Sequence, residues 1–232
     1  MKNTLSIKKV AHLLQFSDSI LPVGTFSFSC GVESAIQCGI IHDNRTLKNY
    51  VSTSLLLTSK CDAVALINCL RTVNKSVLER LIHIDNDLLR RKLNSESRLM
   101  TKRMGKKLAE LANSIMDSAS FAWWLGQINS GNTAGTYPAT QALVMGYLEI
   151  KEREALILHF YNTAMTILSA AQRLMRITHL ESQTILTEAI NDFPKYCDIA
   201  QKTRLEMMSS FSPVIDILAA IHVDANVRLF MN

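Results

Sequence analysis

Residues able to act on a substrate or hold a metal are present in this chain, but their spacing does not assemble a familiar reaction centre. The run TFSFSCGVE puts Ser27, Ser29, Cys30 and Glu33 close together, with no histidine in local reach to activate a nucleophile. Cys38 and His42 flank a helix end in CGIIH, a spacing that suits a soft or borderline ion such as nickel or zinc, although two further ligands are unnamed. Cys30 with Cys38, and Cys61 with Cys69, stand eight apart and so share helix faces, where reduced cysteine acts as a small hydrophobe. His12, His83, His159, His179 and His222 are dispersed along the chain. There is no GxxxxGK[ST], GxGxxG, HExxH or GxSxG pattern. No catalytic, cofactor or metal-ligating residue is assigned from these patterns.

The elements that must position these residues are helical. Apolar residues return every three or four positions, and 8 glycines and 4 prolines in 232 residues are too few for the turns of a sandwich or barrel. Short helices are expected over residues 7–16 and 26–39, separated by a Pro22 and Gly24 loop. Asp43 or Asn44 caps the next helix, which continues or restarts over 59–73. A helix over 75–93 follows, and Asn94 or Ser95 caps another in which Met100, Met104, Leu108, Leu111 and Ile115 form a stripe. Residues 118–148 carry no formal charge, and the stretch 118–177 is expected to form a buried helical hairpin whose neutral faces serve the core or a subunit contact. Helices over 184–192 and 195–208, separated by Pro194, and a last one opened by Ser212 and Pro213 complete one all-α domain of about nine or ten helices. Residues 1–6 and 223–232 are expected as flexible ends.

Five cysteines without disulfide-scaffold spacing fit a reducing cytoplasm, and neither a signal peptide nor a membrane span is read; residues 155–172, the nearest approach to one, carry a polar stripe. The net charge of +5 is concentrated: residues 71–107 hold eleven Lys or Arg against four acids. That concentration supports a second reading, a basic helical nucleic-acid-binding protein, with a salt-dependent affinity as its signature. A third reading, a helical enzyme with its site in the core from Trp123 to Tyr147, finds no acid, base or nucleophile pattern there.

One segment is more specific. LPVGTFSFSCGVE closely resembles the signature LPxGxFxxSxGLE of the UreF family of urease accessory proteins, matching at Leu21, Pro22, Gly24, Phe26, Ser29, Gly31 and Glu33, with Val32 for the usual leucine. Pro22 and Gly24 set a tight entry, Phe26 offers an apolar anchor, and Ser29 or Glu33 can satisfy free amides as a helix begins. SRLMTKRMGKKLAEL resembles the family's basic helix around a Met-Gly pair, here Met104 and Gly105. The ending SPVIDILAAIHVDANVRLFMN is similar to the family's closing segment at Ser212, Pro213, Asp216, His222, Arg228, Leu229 and Phe230. The departure is RLMRITHLESQ, where the family usually reads RLxPLGQxxGQ: Arg173, Leu174 and Gln183 remain, while Arg176, Thr178, His179 and Ser182 replace proline, glycine, glutamine and glycine. The resemblance implies a dimeric, non-catalytic adaptor that binds a UreD/UreH-type protein and a UreG-type GTPase, docks on apo-urease and assists nickel loading without holding a cofactor itself. It also implies partner-binding roles for Pro22, Gly24, Phe26, Ser29, Gly31, Glu33, Arg173, Gln183, Arg228, Leu229 and Phe230, with neither nucleic acid nor membrane as partner.

Overall fold

The computed structural model describes residues 6–18, 20–223 and 229–230, and among these every regular element is helical. Twelve α-helices are formed: α1 Ile7–Ser17, α2 Val32–Gln37, α3 Asn44–Lys60, α4 Asp62–Asn74, α5 Leu78–Arg91, α6 Ser95–Ile115, α7 Ala119–Asn129, α8 Tyr137–Tyr147, α9 Glu152–Leu174, α10 His179–Asn191, α11 Phe193–Lys202 and α12 Pro213–Val223. The count exceeds nine or ten because two expected elements are divided. Cys61, at φ −128° and ψ −82°, separates α3 from α4, and a turn at residues 130–136 separates α7 from α8.

Side-chain caps fix several starts. Asp43 accepts from the Thr46 amide at 2.7 Å and Asn94 from the Ser97 amide at 2.7 Å, each satisfying an amide that the first helical turn leaves free. Hydrogen bonds from the Thr46 amide and hydroxyl hold the Asp43 carboxyl below the usual carboxylate range.

The uncharged sequence of α8 is explained by its position. Every residue from Tyr137 to Met145 is buried, and the helix packs between α4 and α6. The expected hairpin of 118–177 is therefore not the packing unit: α9 lies mainly on α2, α3, α4 and α10. Close approach on the α6 side depends on Gly105, where a Cβ would stand 1.9 Å from the carbonyl oxygen of Gly135. The same turn is tied to α5 by buried Asp85. Its carboxylate accepts from Thr133 Oγ1 at 2.6 Å, Gly135 N at 2.7 Å, Thr136 N at 2.9 Å and the Thr136 hydroxyl. The expected α6 stripe holds at Met104 and Leu108 but drifts outward to Ile115, which is 51% exposed, because the buried face is completed by Thr101, Gly105, Ala109 and Ala112.

Among the described residues, the stretch that comes nearest to a membrane span is 44–74, not 155–172. It is long and apolar enough to cross a membrane, yet it is broken at Cys61 and much of it is buried in the core.

Candidate partner-docking surface

The signature segment is mostly non-helical. After α1, Asp18 turns the chain by accepting from the amides of Ile20 (through Oδ1) and Leu21 (through its carbonyl). Gly24 takes φ +82°, a left-handed value glycine adopts without Cβ strain, and Thr25–Ser27 follow as one 3₁₀ turn. Cys30 (φ 53°) and Gly31 (φ 78°) are also left-handed, so the helix expected over 26–39 is reduced to α2. The Tyr50 hydroxyl donates to the Cys30 carbonyl at 2.7 Å, and a Cβ on Gly31 would meet that hydroxyl oxygen at 2.5 Å.

Phe26 and Glu33 both differ from their expected roles. Phe26 is 71% exposed and anchors no core. The Arg173 guanidinium covers its ring at 3.9 Å from the centroid, and Arg173 Nη2 donates to the Phe26 carbonyl at 3.0 Å. Glu33 is buried and serves the far end of the chain instead of its own helix. Its Oε1 accepts from the Leu229 amide at 2.8 Å, and its Oε2 accepts from the Phe230 amide at 3.3 Å. His222 lies between two carboxylates, with Nε2 3.0 Å from Glu33 Oε2 and Nδ1 2.6 Å from Glu96 Oε1. Only the imidazolium form donates from both ring nitrogens, and in that form the cluster is a charge-assisted bridge joining α2, α6 and α12.

Phe230 is consequently no free tail residue. It is 5% exposed and is the second aromatic contact of Arg173, whose guanidinium carbon is 4.1 Å from its ring centroid. Leu229, 73% exposed, points outward. Arg228 lies outside the described residues, as do 1–5, 224–227, 231 and 232 of the expected flexible ends. Six of the expected partner residues (Gly31, Glu33, Phe26, Arg173, Leu229 and Phe230) thus converge on one region, with Ser29 buried beneath it and Pro22 and Gly24 exposed at its edge. Gln183 does not join them; it is exposed on α10, which packs on α3, α9 and α11.

The divergent segment 173–183 is well structured. α9 ends at Leu174, and Thr178 and Glu181 form a reciprocal capping box that opens α10. Glu181 Oε1 also accepts from Asn44 Nδ2 at 2.6 Å, which ties this end of α10 to α3.

Several cations of the basic segment are committed internally. Lys92 sits 2.6 Å from Asp62, Arg71 2.7 Å from Glu152, Arg91 3.2 Å from Asp87 and Lys107 2.8 Å from Glu110. Burial opposes the charge on Lys92, but Asp62 together with Cys61 and Cys30 holds the ammonium above its ordinary value. His42 meets the Gly39 carbonyl at 3.1 Å through Nδ1, and among the described residues no three His, Cys, Asp or Glu side chains gather as a metal site.

A family model described as UreF matches residues 41–190. The urease accessory protein UreF of Yersinia pseudotuberculosis serotype IB (strain PB1/+) is 50% identical over 228 residues, covering 98% of this chain and all of that protein. The chain belongs to the UreF family. The corresponding protein of Yersinia enterocolitica serotype O:8 / biotype 1B is 49% identical over the same share of each chain. The UreF model match begins after the signature segment, so the motif and the domain match are separate observations that agree.

Proposed function

We propose that this UreF-family chain is a non-catalytic adaptor of urease maturation. As a cytoplasmic homodimer it joins a UreD/UreH-type subunit and a UreG-type GTPase, docks with them on apo-urease and regulates the GTPase while nickel is loaded. The observation that carries this reading is 50% identity, along essentially the whole chain, to proteins named urease accessory protein UreF. Two features support it. Phe26, Arg173 and Leu229 form an exposed aromatic, cationic and apolar surface, and arginine is enriched in binding hot spots. The described cysteines are all free, as a reducing compartment requires. The nucleic-acid reading is weakened by the internal pairing of Arg71, Arg91, Lys92 and Lys107.

Co-expression tests the proposal. A tagged chain should retain both accessory partners through purification, and adding that assembly with nickel to apo-urease should generate urease activity. A chain that stays alone in the presence of both partners overturns the reading.

A further inference from the structure

A cavity of about 190 Å³ lies beneath the signature segment, lined by residues of α3, α6, α9 and α12. Two sulfur atoms stand in its wall: Cys30 Sγ is 3.7 Å from Met100 Sδ. A thiol donating to a thioether is a weak contact, and it gains little from such a placement. Two sulfur ligands at about 2.3 Å from a tetrahedral metal stand roughly 3.8 Å apart, so the observed pair needs almost no rearrangement to chelate.

We propose that Cys30 and Met100 form a site for a soft monovalent metal ion, with Cu(I) as its representative. A thiolate paired with a thioether is the donor set that selects Cu(I). Cys30 is held in place, with its left-handed backbone fastened by the Tyr50 hydroxyl on its carbonyl. Burial pushes the thiol up and the charges of Lys92, Asp62 and Glu96 act on it, so an ion bound here displaces a tightly held proton. The cavity also offers a nitrogen donor. His159 is 4% exposed and its Nδ1 is 2.7 Å from Gln141 Oε1, while Nε2 has no hydrogen bond to any described residue. Binding forms a Cu–S bond to each sulfur, and the thiol proton passes to solvent. The bound ion links the signature segment to α6. This site is independent of the adaptor reading and uses no residue of the Phe26 and Arg173 surface.

The test uses the full chain carrying Cys38→Ser, which removes the exposed thiol, titrated anaerobically with Cu(I) against bicinchoninate. One equivalent should be withdrawn from the chelator. Met100→Leu, close to isosteric, should weaken binding by at least about tenfold with an unchanged melting temperature. X-ray absorption should show two sulfur neighbours at about 2.3 Å. Failure to withdraw Cu(I), a Met100→Leu affinity within about threefold of the parent, a single sulfur neighbour, or displacement by equimolar Ni(II) would each overturn the site. If Cys30→Ala disturbs folding, Met100→Leu still decides the question.

Discussion

Asp85 shows how one side chain can hold a fold together. Its carboxylate takes four hydrogen bonds from a single turn, and an asparagine there would turn an NH₂ group toward some of those donors. Asp85→Asn should therefore lower unfolding stability by about 2–4 kcal/mol in urea titrations. His159 supplies a pH dependence. Burial pushes its imidazole down to about 4 from 6.5, so the fold keeps it neutral. Between those values the unfolded chain binds more protons, and stability rises with pH. The His159 contribution is complete above pH 6.5 and is lost as pH falls toward 4. Thermal melts from pH 7 to 4.5 should fall less steeply for His159→Gln than for the parent. The sequence exposes neither residue's role. Asp85 looks like one more charge on an amphipathic helix, and its partners lie 48 to 51 positions away.

Elements were most legible where local chemistry decides them. Asp43 and Asn94 cap helices because a short side-chain oxygen reaches a free amide, and Ser212 with Pro213 marks the opening of α12. The break at Cys30 and Gly31 was illegible because it depends on Tyr50, which belongs to another helix. Glu33 shows the same limit, since its tail partners lie 196 and 197 residues away. A competition at Gly105 gives a prediction at this scale. Alanine is the better helix former by about 1 kcal/mol, which favours Gly105→Ala in an isolated helix. In the fold the new methyl meets the backbone at residues 135–137, where the Asp85 bonds leave little freedom to shift. Packing strain should win, with a net loss of about 1–3 kcal/mol read by chemical denaturation, and helicity near the parent's in the native baseline.

Across the whole molecule, the uncharged middle of the sequence closes the core, while apolar excess is left on the surface elsewhere. Val214, Ile217 and Ile221 are exposed along one face of α12, Ile7, Val10 and Leu14 along α1, and Phe26 and Leu229 stand exposed near the closing residues. These faces, together with Tyr147 and Ile157 within 118–177, are the exposed apolar surface available for homodimer or partner binding. The chain's end can be dissected with single substitutions because its two described residues, Leu229 and Phe230, face opposite ways. Phe230 is buried against Arg173, so Phe230→Ala opens a cavity and should cost about 3 kcal/mol, visible as a lower melting temperature. Leu229 and Phe26 are exposed, and the Phe26 contact with Arg173 is worth about 0.5–1 kcal/mol at an open site. Leu229→Ala and Phe26→Ala should melt close to the parent, yet lower capture of the proposed UreD/UreH-type partner by about tenfold in pull-down titrations if these side chains are docking anchors. Normal capture by both exposed-site variants, with weakened capture by Phe230→Ala alone, would instead assign the closing segment to folding and leave docking to another face.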